Sequence, residues 1–164
     1  MSVTGHIEYP ANTVMDELGT LLLAEITTAN GYSQTVKRID TEAERNQPGA
    51  NEYPYLRVWF WDNNPQETPQ IHGADQQSFR SAANITIEGL IVFARATPEP
   101  DRRTILQKFA KDIWTAVYRV KKRMSVYADF TIRQIHTPEA GDKGQAILVF
   151  DAEYDETVYI ASLT

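Results

Sequence analysis

At 164 residues, with 42% hydrophobic and 23% charged residues, the chain has the make-up of one ordinary globular domain, which excludes a disordered or fibrous protein and allows roughly 70% of the extended-chain surface to be buried. A formal net charge of −6 argues against a general nucleic-acid binder, because counterion-release binding needs a surplus of Lys and Arg on the contact face. Cysteine is absent, which removes disulfides, thiol catalysis and thiolate metal sites together. The stretch Met1 to Pro10 lacks a basic start and an apolar core, and no later run reaches bilayer length, so the expected setting is the cytoplasm.

Taken in chain order, Asn12 to Ala29 places Val14, Leu18, Leu21, Leu22 and Ile26 on one face at helical spacing. Asn12 or Thr13 is the expected N-cap, and Asn30-Gly31 the expected left-handed end. Tyr32 to Ile39 reads as a short strand with Val36 and Ile39 directed at the core. Asp40 to Glu52, rich in charge, Asn, Pro and Gly, reads as a loop. In the next strand, Tyr55 to Trp61, alternation puts Leu56, Val58 and Phe60 on one face and Arg57, Trp59 and Trp61 on the other. Asn63 to Ser81 contains two prolines, a glycine and many polar residues and is expected to be a second long loop.

Ala83 to Ala96 alternates Ile85, Ile87, Ile91 and Phe93 against Thr86, Glu88 and Arg95, as a central strand would. Asp101 then opens a helix whose Leu106, Phe109, Ile113, Val117 and Val120 keep 3.6-residue spacing. Two last strands, Phe130 to His136 and Ala146 to Ile160, flank the turn Pro138 to Gly144 and should pair as a hairpin. The order α-β-β-β-α-β-β lacks regular βα alternation. It predicts an α+β fold, a single largely antiparallel or mixed sheet with two helices packed on one face, in one domain covering 1–164.

Candidate chemistry is sparse. His6, His72 and His136 lie far apart without ligand spacing, and Asp151, Glu153 and Asp155 alternate with Phe150, Ala152 and Tyr154, so they read as one solvated sheet face. No glycine-rich loop precedes a helix in the manner of a phosphate cradle. The basic run Arg119 to Arg123 sits where a helix C-terminus attracts cations for electrostatic reasons alone. No catalytic residue, cofactor or metal is therefore expected. What stands out is the face carrying Arg57, Trp59 and Trp61: the helices take the opposite face, so these tryptophans need cover from a loop, another subunit or a partner.

The helix ending in Asn30-Gly31-Tyr32, the strand with Val36, the entry Tyr53-Pro54-Tyr55-Leu56-Arg57-Val58, the helix Asp101 to Val120 and the long final strand ending Tyr154 to Ile160 form an ordered succession. It resembles the tail terminator and related tail-completion or neck proteins of long-tailed bacteriophages, over most of the chain, by order and texture rather than by one diagnostic motif. The resemblance implies a non-enzymatic viral structural protein that works in virion assembly. It would form a homo-oligomeric ring, commonly a hexamer, that caps the tail tube and offers a head-docking surface. Its partners would be the tail tube protein and head-tail connector proteins, with no membrane and no sequence-specific nucleic acid, genome DNA passing through the ring. The expected location is the host cytoplasm during assembly and then the tail or neck of the virion. Two other classes remain open: a scattered-carboxylate hydrolase or transferase, and a monomeric ligand-binding or adaptor domain with Trp59 and Trp61 lining a pocket.

Overall fold

The computed structural model describes residues 10–41, 48–65, 70–71, 76–125 and 128–159. Helix α1 spans Pro10–Glu25 and α2 spans Glu99–Val120. The strands are β1 (Arg38–Asp40), β2 (Tyr55–Pro65), β3 (Gln70–Ile71), β4 (Gln76–Val92), β5 (Ala128–His136), β6 (Glu139–Ala140) and β7 (Lys143–Tyr159). They form a mixed sheet of order β1-β2-β4-β7-β5, with β3 added to β4 and β6 to β7. Only the β1–β2 pair is parallel among the described strands. The fold is α+β with both helices on one face of the sheet, as the element order implies.

The core lies between that face and the helices. Alternation along β4 and β7 turns Ile85, Ile87 and Ile91 and, from β7, Ala146, Leu148, Phe150, Ala152 and Tyr154 inward. Helix α2 answers with Leu106, Phe109, Ile113, Val117 and Val120, all buried, and α1 with Val14, Leu18, Leu22 and Ile26. Close approach is made possible by glycine. A Cβ on Gly89 would come within 2.6 Å of Phe109 Cε1 and 2.8 Å of Ile113 Cδ1, and one on Gly144 within 2.6 Å of Leu106 Cδ2. The missing side chains on β4 and β7 are thus filled by the stripe of α2.

Several boundaries differ from the sequence expectations. Helix α1 starts at Pro10, so Asn12 and Thr13 fall inside it rather than at its cap. It also ends at Glu25, and Asn30 belongs to a separate 3-10 turn, Thr28–Asn30, capped by the Thr27 side chain and closed by Gly31 at φ 91°. Tyr32 to Val36 is not a strand. The Tyr32 N–H bonds back to Thr27, Val36 to Ile26 and Lys37 to Pro54, so the segment folds onto α1 and the β2 entry while Tyr32 and Val36 are still buried. Only Arg38–Asp40 remains for the ladder.

The largest correction concerns Asn63 to Ser81, expected as a loop. β2 continues to Pro65 and β4 begins at Gln76, with Asn63 opposite Ala83, Asn64 opposite Ala82 and Pro65 opposite Ser81. β4 in turn pairs with β7 without interruption from Gln76–Tyr159 to Val92–Lys143. A backbone ladder can hold such a polar sequence as strand, because its hydrogen bonds do not depend on the side chains. Pro65 sits at the end of its strand, where a missing N–H costs the ladder least. In the other expected loop, Asp40 is part of β1, Ala50–Glu52 forms a 3-10 turn, and residues 42–47 lie outside the described residues. The expected hairpin of β5 with β7 is present, with a bulge between Ile132 and Gln134, and the tight turn into β7 uses Gly141 at φ 63°.

Candidate functional site

The sheet face away from the helices carries no element over it among the described residues. Register places on it Arg38 and Asp40 from β1, Tyr55, Arg57 and Trp59 from β2, Thr86 and Glu88 from β4, and Gln145, Ile147, Val149, Asp151 and Glu153 from β7. Sequence alternation thus placed Arg57 and Trp59 correctly. Trp61 lies in β2 where the register shifts between Phe60 and Asn63, and its side chain, like that of Phe60, is outside the described residues.

A chain of polar contacts crosses this face over four strands. Arg38 binds Asp40 through both Nε and Nη2 at 3.1 Å and Glu52 through Nη1 at 2.7 Å. The Tyr55 hydroxyl donates to Asp40 Oδ2, and Arg57 Nε donates to the Tyr55 oxygen at 3.4 Å. The two guanidinium groups sit over the Tyr55 ring, 5.7 Å (Arg38) and 5.4 Å (Arg57) from its centroid, and with Asp40 they bury a tyrosine that alternation alone leaves on the uncovered face. Burial, and then the bond to Asp40, raise the Tyr55 pKa and keep it a proton donor. Further across, Arg57 Nη1 lies 3.7 Å from Glu88 Oε2, and Gln145 Nε2 donates to Glu88 Oε1 at 2.6 Å. Glu88 is only 8% exposed, so these two partners are what make its burial tolerable.

Beside this chain lies a shallow concavity of about 560 Å³ lined by Arg57, Trp59, Asn84, Thr86, Glu88, Gln145, Ile147 and Val149. Trp59, Ile147 and Val149 are each half-buried. Thr86 and Glu88, the most buried residues of its lining, lie at its centre between Arg57 and Trp59 on β2 and the apolar pair Ile147 and Val149 on β7, a mixed surface that suits recognition of another surface more than chemistry on a bound group. Asp151 and Glu153 are exposed at the far end of the same face. Asp151 reaches Arg133 at 3.8 Å, and Glu153 has no ion-pair partner among the described residues.

The basic run at the end of α2 is tied into the fold. Arg123 Nη2 donates to Glu25 Oε2 at 2.6 Å, Arg119 Nη1 lies 3.6 Å from Glu25 Oε1, and Tyr32 donates to the same oxygen at 2.7 Å. The Tyr32 hydrogen bond first, then Arg123 and Arg119, lower the Glu25 pKa against the opposing effect of burial. Lys121 binds Asp129 at 2.7 Å and lowers its pKa likewise. Ion pairs to α1 and β5, more than the helix dipole, thus explain most of this run. His136 is exposed at the end of β5, while His6 and His72 lie outside the described residues. Among the described residues, no group of three or more His, Asp or Glu side chains could hold a metal ion, and no helix is long and apolar enough to cross a membrane.

Sequence reasoning picked out Arg57 and Trp59 but missed Arg38, Asp40, Tyr55 and Gln145 as members of this surface. The period of two from Arg57 back to Tyr55 was available as a signal, whereas the parallel β1 pairing that delivers Arg38 and Asp40 was not.

No protein-family model and no curated protein matches the sequence. Among solved structures the chain is similar to one from the "Virion of native gene transfer agent (GTA) particle", at 11% identity and a TM-score of 0.39, covering 94% of this chain and 100% of that one. A likeness this loose carries no functional weight, and the functional reading rests on the surfaces described above.

Proposed function

We propose that this chain is a structural ring subunit of a phage-type tail, whose activity is to cap the finished tail tube and to offer a docking surface to the head. The observation that carries the proposal is the one-sided sheet. Both helices cover one face, and the opposite face presents half-buried Trp59, Ile147 and Val149 around a buried polar chain. A surface of this kind is suited to being covered by protein. The ordered succession of elements shared with tail terminators supports the same reading, as does a set of charged groups committed to structural contacts rather than to a reacting centre.

In this reading Arg57, Trp59 and Trp61 belong to a subunit or partner interface, the chain acts without a cofactor, and its partners are further copies of itself, the tube protein and a head-tail connector. A connector or neck protein of similar fold would use the same surface. The concavity beside Arg57 and Glu88 favours a monomeric ligand-binding domain as the second reading, because a small polar ligand would fit its size. Native mass spectrometry of the purified chain, alone and with tail tube ends, separates the two. Closed rings of defined copy number support the subunit reading. A monomer that ignores tube ends but binds a small molecule in the concavity would replace it.

A further inference from the structure

The uncovered sheet face has a matching surface on the other side of the molecule. The outer line of α2 runs through Thr104, Lys108, Lys111, Thr115 and Tyr118, spaced to project away from the core stripe of Leu106, Phe109 and Ile113, and Lys122 follows in the 3-10 turn Lys121–Arg123. Lys108, Lys111 and Lys122 are exposed and have no carboxylate partner among the described residues, in a chain whose net charge is −6. Tyr118 lies between them, 36% exposed, its ring tilted against Trp114 at 6.1 Å. On the opposite side, β7 presents exposed Glu153, which has no cation partner among the described residues, then Asp151, then the apolar pair Val149 and Ile147.

We propose that copies of this chain join head to tail, with the outer face of α2 of one copy lying along β7 on the open sheet face of the next. The proposal rests on the ring-subunit reading and names its interface. Charge and spacing agree on one alignment, with the helix antiparallel to β7. Lys108 and Lys111 are about 4.5 Å apart along the helix axis, and Glu153 and Asp151 about 7 Å apart along the strand, a mismatch that flexible lysine stems absorb. With Lys111 over Asp151, Tyr118 lies about 10.5 Å further along, between Val149 at about 7 Å and Ile147 at about 13 Å. An aromatic side chain thus meets the apolar pair Val149 and Ile147 while the lysines on one side of it meet the exposed carboxylates. Because the two surfaces differ and face opposite ways, each copy keeps one free when it binds through the other, which is the condition for a ring or filament rather than a closed dimer.

The test uses two full-length variants that leave the core untouched, Lys108→Glu/Lys111→Glu and Asp151→Lys/Glu153→Lys. Each should keep the wild-type melting temperature and weaken self-association in sedimentation by about tenfold or more, the combined effect of reversed rim charges. Mixed together they should recover assembly with the two variants alternating, since both contacts between unlike copies are then complementary while contacts between like copies stay repulsive. As a second readout, the chain has no native cysteine, so Lys111→Cys in one preparation and Asp151→Cys in another should give a short-span cross-link on mixing. If wild type and both variants assemble equally and no cross-link forms, this interface is wrong and the ring reading stands. If the wild type neither associates at any concentration nor assembles on tube ends, and no cross-link forms, both are overturned.

Discussion

Replacing Gly89 by Ala places a methyl group under α2, and its cost should depend on the residue above it. The new Cβ would lie 2.6 Å from Phe109 Cε1, 3.2 Å from Phe109 Cζ and 2.8 Å from Ile113 Cδ1, so the helix or its side chains must give way. Overpacking of this kind costs about 1–3 kcal/mol, and the reduced freedom of the unfolded chain returns about 0.4–1 kcal/mol, leaving a net loss of about 0.5–2 kcal/mol. Phe109→Leu alone removes the two clashing ring atoms but opens a cavity in a fully buried site, at about 1–3 kcal/mol. In the double variant the methyl group occupies part of that cavity. The loss should then be smaller than the sum of the two by at least about 0.5 kcal/mol, with Ile113 Cδ1 limiting the relief. Urea melts of the four proteins at unchanged m-value measure this coupling. Additivity within about 0.3 kcal/mol, or a neutral Gly89→Ala, would mean that α2 does not seat over β4 at this glycine.

Two further predictions probe the polar groups. Arg57→Ala should cost about 1–3 kcal/mol, because buried Glu88 loses its guanidinium partner and the Tyr55 ring loses one of its covers, and adding Glu88→Gln should recover part of the loss. A chemical melt showing no loss would place the Arg57 guanidinium in solvent. Glu25, Glu52 and Asp129 all have pKa values lowered from their ordinary 4.5, 4.5 and 3.8, so the folded state binds fewer protons than the unfolded one. Their contribution is fully present above the unfolded values and is lost as pH falls through the folded ones. The melting temperature should therefore hold down to about pH 5 and drop below it, with a shallower drop in Glu25→Gln. A fold that gains stability on acidification through this window would contradict these ion pairs.

The sequence was most informative where one periodicity served one buried face. Helix α2 shows its packing in Leu106, Phe109, Ile113, Val117 and Val120, and β4 in Ile85, Ile87 and Ile91, because burial on one side repeats at 3.6 or at 2. Residues 76–81 and 63–65 gave no such signal, since a ladder is made of backbone bonds that any side chain permits. Val36 was found as a core residue but its segment was assigned the wrong conformation, and buried Tyr32 was not singled out, for the backbone bonds of both go to a turn and a loop that no local pattern announces. In the candidate surface, Arg57 and Trp59 were visible by alternation, but the cover of Tyr55 by Arg38 depends on a parallel pairing between segments 17 residues apart in register. Long-range pairing of that kind is written in no short window of sequence.

The central claim, a ring that ends tube growth and receives the head, is tested most directly on tails assembled without this chain. Electron micrographs of such tails should show tubes of excess or irregular length, or tubes that fail to join heads, and restoring the wild-type chain should correct both. Tails of normal length that join heads in its absence would contradict the claim.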